Sequence, residues 1–314
     1  MALDPQAQAI LDAAKASGLK PIYLLSIEEA RARMEAQFRN PDPPEALESV
    51  EDVSIQASSN SISIKLRIYH PGKKRDLGCF VFAHGGGWVV NSLNTHDFLC
   101  RRLSKLADCV VISVDCRRAP EYKYPVAFED MCAALQWVFN NGGKHGWDAT
   151  RIAIGGDSSG GTLATTAAMH NRDRGGPKIK CQVLICPVTD YYLPETSSYK
   201  EIGSDYIINR DWMVWAWNNY LPANANLNDP YLCPLRAADL SGMPPALIAT
   251  AEYDPLRDEG IEYAKKLQTA GVKVELLHQE DQLHGFIMQT RRIDKARKML
   301  EIICGYLREQ LKRK

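Results

Sequence analysis

Two short stretches of the chain combine residue types able to attack an acyl group and to stabilise the charge that follows: His84-Gly85-Gly86-Gly87-Trp88 and Gly156-Asp157-Ser158-Ser159-Gly160. The second follows the apolar run Arg151-Ile152-Ala153-Ile154 and precedes Gly161-Thr162-Leu163-Ala164-Thr165-Thr166-Ala167-Ala168. Ser158 is therefore expected on a tight turn between a buried strand and a helix, the arrangement called a nucleophile elbow. Glycine two residues to either side lets strand and helix crowd together, while the serine is held at a strained positive φ. At ordinary glycine and serine frequencies, a Gly-x-Ser-x-Gly alone arises by chance in roughly one chain in ten of this length. Three glycines after a histidine, behind the strand-like run Cys79-Phe80-Val81-Phe82-Ala83, are far rarer, and together the two stretches point to a serine facing an oxyanion-stabilising loop.

A serine hydroxyl is a poor nucleophile at neutral pH and needs a base with a group to orient it. Of the seven histidines, His70 and His84 close strand-like runs, His96 and His170 sit in helical patterns, and His145 lies in a Gly-rich turn, positions that read as surface or packing. His284, in a polar loop before Gly285-Phe286, is the first choice of base; His278, closing the strand-like Val272 to Leu277, is the alternative. The carboxylate belongs at the carboxyl end of the strand Pro245 to Ala251, because ligand groups of open α/β sheets gather at that edge. Asp254 is the first choice there and Asp190 the runner-up, whereas Asp258 and Glu259 fall inside the next helix, where charges usually face solvent. The order Ser, Asp, His is that of α/β-hydrolases.

With these residues in view, the chain resembles the hormone-sensitive-lipase family of carboxylesterases, in the branch that usually carries Gly-Asp-Ser-Ala-Gly at the elbow. The resemblance runs through the His-Gly-Gly-Gly-Trp loop, Asp115-Cys116-Arg117-Arg118-Ala119-Pro120-Glu121, Phe128-Glu129-Asp130, the elbow, Asp254-Pro255-Leu256-Arg257-Asp258-Glu259 and His284-Gly285-Phe286. It implies an oxyanion hole of three backbone N–H groups, which map onto Gly86, Gly87 and Ser159. Ser159 stands where the family usually has alanine; because the donor is a backbone amide the swap need not matter, although the extra hydroxyl could hydrogen-bond into the site and alter reactivity. The implied activity is hydrolysis of short to medium acyl esters by a Ser158-Asp254-His284 triad without a cofactor. Relatives of this fold include plant hormone receptors that bind without hydrolysing and dehydratases, so a non-hydrolytic small-molecule binder or a lyase is the competing reading. The receptors lack the catalytic histidine, and His284 is present here.

The elements that must position these residues read as an α/β-hydrolase fold. Asp4 and Pro5 open a helix ending near Gly18, and Ser26 with Glu29 forms a capping box for another reaching about Phe38. A linker from Pro41 to Pro44 precedes two alternating segments, about Val50 to Ala57 and Ile62 to Tyr69, expected as an antiparallel hairpin at a sheet edge. Strands near 79–83, 110–115, 151–155, 182–188, 246–251 and 272–278 then alternate with helices, the pattern of a mostly parallel, doubly wound sheet. Residues 46–189 and 223–314 form the expected core. The N-terminal helices within 1–45 and the aromatic insertion 190–222 are expected to make a cap, with Trp88, Asp157, Tyr191, Tyr206, Trp212 and Phe286 as candidate pocket residues.

Composition sets outer limits. Lys plus Arg and Asp plus Glu are equal at 38 each, so nothing in the totals attracts nucleic acid or an anionic membrane. The chain lacks a P-loop lysine, a full dinucleotide glycine pattern and a His-Glu-x-x-His zinc motif, so neither a cofactor nor a metal is expected. Nine cysteines, an odd number without Cys-x-x-Cys, read as buried free thiols, and with an N-terminus unlike a leader they suggest a cytoplasmic setting. The last strand, Val272 to His278, offers an edge through which a homodimer is expected to form.

Overall fold

A computed structural model describes residues 2–38, 44–57 and 62–313; of the expected linker, residues 41–43 fall outside this range. Helix α1 (Pro5–Ala16) starts where the Asp4 carboxylate accepts from the Gln6 amide at 2.8 Å, with Pro5 in the first turn. Helix α2 (Ile27–Gln37) starts at a reciprocal capping box, Ser26 Oγ accepting from the Glu29 amide and the Glu29 carboxylate from the Ser26 amide. Strands β1 (Ser49–Gln56) and β2 (Ser63–His70) pair antiparallel, and the alternate residues Ile64, Leu66 and Ile68 of β2 are buried.

There follow β3 (Leu77–Ala83), α3 (Asp97–Ala107), β4 (Val110–Asp115), α4 (Val126–Asn141), β5 (Trp147–Asp157), α5 (Ser159–Asp173), β6 (Cys181–Ile185), α6 (Ser197–Glu201), α7 (Arg210–Tyr220), β7 (Ala246–Tyr253), α8 (Arg257–Thr269), β8 (Val274–Leu283) and α9 (Asp294–Leu311). The eight strands lie in the order β1-β2-β4-β3-β5-β6-β7-β8. Only the β1–β2 and β2–β4 pairings are antiparallel, which puts the hairpin at one edge as expected.

Successive side chains of a strand point to opposite faces, so a strand covered on both faces must be apolar throughout. In β3, Cys79 and Val81 face α4 and α5 with Met131, Ala134, Leu163 and Ala167. Phe80 and Phe82 face α3 and α9 with Leu99, Leu103, Ile303 and Leu307. All nine cysteines are free thiols, all but Cys132 buried. Among the described residues no helix is long and apolar enough to cross a membrane.

Three strand boundaries lie well away from expectation, while the others shift by about two residues or fewer. β5 begins earlier, at Trp147, and β6 stops at Ile185 because the chain turns at Cys186, whose φ is +46°. β8 continues to Leu283, so His278 lies inside the strand and the polar stretch Gln279 to Gln282 is strand rather than loop. An edge strand keeps one side partly in water and tolerates polar residues that a central strand would not. Glu259 is likewise no solvated helix charge: it is 2% exposed, and its carboxylate accepts from the Thr189 amide at 2.7 Å.

Candidate active site

Because β3, β5, β7 and β8 run parallel, their carboxyl ends meet at one edge of the sheet. Each candidate triad residue is the first residue beyond its strand: Ser158 follows β5, Asp254 follows β7 and His284 follows β8. His84 and the glycine loop follow β3 in the same way.

Ser158 has φ +53° and ψ −124°, the strained turn expected of an elbow, and its amide donates to the Ile185 carbonyl at 2.8 Å. A Cβ on Gly160 would land on the Ala83 carbonyl of β3, so any larger residue would push helix α5 off the sheet. His284 Nε2 lies 3.1 Å from Ser158 Oγ, and His284 Nδ1 lies 2.7 Å from an Asp254 carboxylate oxygen. The other Asp254 oxygen accepts from the Leu256 amide at 2.8 Å, in the turn that Pro255 opens. Asp254 is fully buried and Ser158 is 5% exposed. Burial alone would lower the His284 pKa, but the adjacent Asp254 charge and hydrogen bond outweigh it and hold the pKa above the ordinary histidine value.

The runners-up are committed elsewhere. His278 Nε2 is 2.9 Å from Glu252 and its Nδ1 3.0 Å from Thr250 Oγ1. Asp190 pairs with Arg236. The fold also brings Cys186 Sγ within 4.8 Å of ligand atoms of Asp254 and His284, a grouping that no sequence motif announced. The 2.7 Å contact between imidazole and carboxylate leaves no room for an ion between those two groups.

Opposite Ser158, the glycine loop turns sharply, with φ +124° at Gly86, +57° at Gly87 and +63° at Trp88. Among the described residues, the Gly86 and Gly87 amides donate to no protein acceptor. Ser159 opens helix α5, where the first N–H groups have no partner within the helix. Of the two outcomes left open for the Ser159 hydroxyl, it hydrogen-bonds to the glycine loop: its Oγ accepts from the Trp88 amide at 3.2 Å.

A cavity of about 140 Å³ adjoins Ser158 and His284. Of the candidate pocket residues, Asp157, Tyr206, Trp212 and Phe286 line it. Trp88 and Tyr191 do not. Trp88 is drawn into an aromatic stack, its ring 4.3 Å from Tyr220 and nearly parallel, and Tyr191 packs edge-on against Trp217 at 5.4 Å. Helix α7 thus buries Trp217 and Tyr220 against the loop while Trp212 faces the cavity. Ile10, Ile22, Met34 and Phe38 from the N-terminal region complete the apolar wall.

Two buried histidines belong to this site although their positions in the sequence read as surface or packing, His84 being singled out only as the head of the glycine motif. His96 Nε2 lies 3.3 Å from the Asp157 carboxylate, and His84 Nδ1 donates to the Gly85 carbonyl at 2.8 Å. Burial, with His96 nearby, pushes the His84 pKa down to about 4. Burial opposes ionisation of Asp157, yet His96 and the Gly85 amide hold its pKa below the ordinary carboxylate value. Only the His-Gly-Gly-Gly context could have singled out His84; His96 meets Asp157 across 61 residues and carries no local signal.

The sequence profile of the alpha/beta hydrolase fold family matches residues 80–288. Carboxylesterase NlhH of Mycobacterium tuberculosis is 40% identical over 271 residues, 83% of this chain and 82% of that protein. This chain belongs to the hormone-sensitive-lipase family of alpha/beta-hydrolase carboxylic ester hydrolases. An ethyl acetate hydrolase of Pseudomonas putida is 32% identical over 99% of this chain and all of its own length. In three dimensions the chain is similar to a thermostable esterase from Pseudomonas putida, with a TM-score of 0.95 and 34% identity over 100% of this chain and 99% of that one. The hyperthermophilic esterase of Pyrobaculum calidifontis superposes with a TM-score of 0.92 at 37% identity, covering 98% and 99% of the two chains.

Proposed function

We propose that the protein hydrolyses short to medium acyl esters through an acyl-enzyme on Ser158. The observation that carries this reading is the continuous line from Asp254 through His284 to Ser158, at 2.7 and 3.1 Å, beside unpaired amides of the glycine loop. Nδ1 of His284 donates to Asp254, which fixes the tautomer and leaves Nε2 to accept the Ser158 proton. As Oγ bonds to the ester carbonyl carbon, the carbonyl oxygen becomes an oxyanion, and the amides of Gly86, Gly87 and Ser159 donate to it. His284 then passes its proton to the leaving alcohol as the carbon–oxygen bond breaks. Water, deprotonated by the same imidazole, attacks the acyl-enzyme and releases the acid. Every proton is carried by His284, and no redox partner enters.

The described part of residues 1–45, with helices α1 and α2, and residues 190–222 serve as a cap over the core, walling the acyl cavity with Phe38, Tyr206 and Trp212. This favours small acyl groups. A series of nitrophenyl esters tests the reading: the protein turns them over with release of nitrophenol and acid. Saturable binding of the ester without turnover would instead fit a non-hydrolytic binding protein.

A further inference from the structure

The glycine loop is strained, with three successive residues at positive φ, one of them the tryptophan Trp88. Such a conformation persists only where its surroundings hold it. The loop is held at both ends by the two residues that flank Ser158. At its start, the Gly85 amide donates to the Asp157 carboxylate at 2.9 Å; at its end, the Trp88 amide donates to Ser159 Oγ at 3.2 Å. Gly86 and Gly87, whose amides donate to no acceptor among the described residues, lie between these pins. Ser159 itself is only 1% exposed, so no water can substitute freely for its hydroxyl. The Trp88 carbonyl accepts from the Ala119 amide at 2.9 Å, which holds the next peptide, Trp88–Val89, and leaves the orientation of the Gly87–Trp88 peptide to Ser159.

We propose that the Ser159 side chain is a positioning residue for the oxyanion hole: its hydroxyl sets the height of the Gly86 and Gly87 amides above Ser158. The inference rests on the acyl-transfer reading of the site. Ser159 thus has two roles on one residue, its amide facing the oxyanion and its Oγ tying down the loop that supplies the other donors. Removing Oγ leaves the buried Trp88 amide without an acceptor and the Gly87–Trp88 peptide unpinned, while the Trp88 carbonyl stays on the Ala119 amide and no group that touches the substrate is changed. The effect should fall on the transition state rather than on ester binding.

Ser159→Ala tests this with nitrophenyl butyrate as substrate and an alkyl trifluoromethyl ketone as inhibitor, since the ketone forms a hemiketal oxyanion on the nucleophile. The expected result is a kcat lowered roughly 3- to 10-fold, the loss of one buried hydrogen bond. KM should stay within about twofold, and the ketone inhibition constant should rise in parallel with the loss of kcat. Ser159→Cys, which offers a weak acceptor of similar size, should fall between wild type and Ser159→Ala, and it serves alone should the alanine variant not fold. Unchanged kcat and ketone affinity would overturn the proposal, as would a raised KM at constant kcat. Ser158→Ala separates the two levels: activity surviving in it sinks the acyl-enzyme reading itself, whereas an inactive Ser158→Ala beside a normal Ser159→Ala sinks only the role of Ser159.

Discussion

The imidazole of His284 illustrates how one residue is set by opposing effects. Burial disfavours its charge, and Asp254 at 2.7 Å favours it; the second effect wins, so the pKa stands above the ordinary 6.5. Only the neutral ring can take the Ser158 proton, so kcat/KM should fall as pH drops through that raised value, and the plateau should begin at higher pH than for an unperturbed histidine. A pH–rate profile with its midpoint at or below 6.5 would contradict this environment. Asp254→Asn should lower kcat by up to roughly 10⁴-fold, while Asp190→Asn, which loses only its pairing with Arg236, should be mild. Steady-state kinetics of both variants would show the reverse order were the carboxylate misassigned. These positions were legible in the sequence because chain order and turn residues mark strand ends. The partners of Asp157 were not, because His96 reaches it from a helix start far along the chain. Trp88 was misplaced in the pocket for a related reason: adjacency to the glycine loop does not reveal that Tyr220 draws its ring away.

At the scale of elements, the alternation of apolar runs with helical stretches was sufficient to place the sheet, and the capping box at Ser26 marked a helix start. Boundaries failed where burial changes along a strand. β8 carries polar residues because it is an edge strand, so its last five residues resembled a loop. Glu259 failed in the opposite sense, since a buried carboxylate serving two loop amides has the same helical spacing as a solvated one. The N-terminal helices meet the core through Arg31 of α2, whose guanidinium donates to the Val89 and Ala119 carbonyls at 2.9 Å and pairs with Glu121. They therefore wall the cavity from a fixed position. With each buried CH₂ contributing about 0.8 kcal/mol, kcat/KM should climb from acetyl to roughly butyryl or hexanoyl esters and then fall as the chain meets Phe38, Tyr206 and Trp212. Nitrophenyl esters of increasing acyl length measure this, and an optimum at about twelve carbons or more would mean an open cavity.

For the whole molecule, β8 ends the sheet and among the described residues pairs with no strand but β7, although the Asp4 amide donates to its Asp281 carbonyl at 2.9 Å. We propose that a second copy covers it about a twofold axis, giving a homodimer of 35.1 kDa chains. Light scattering at micromolar protein should report twice the chain mass, and a monomer throughout would exclude this pairing. The central claim, that the converging strand ends serve a single reacting serine, is tested most directly by the turnover of nitrophenyl butyrate by Ser158→Ala. The expected result is a loss of at least about 10³-fold with an unchanged circular dichroism spectrum; near-normal turnover in that variant would contradict it.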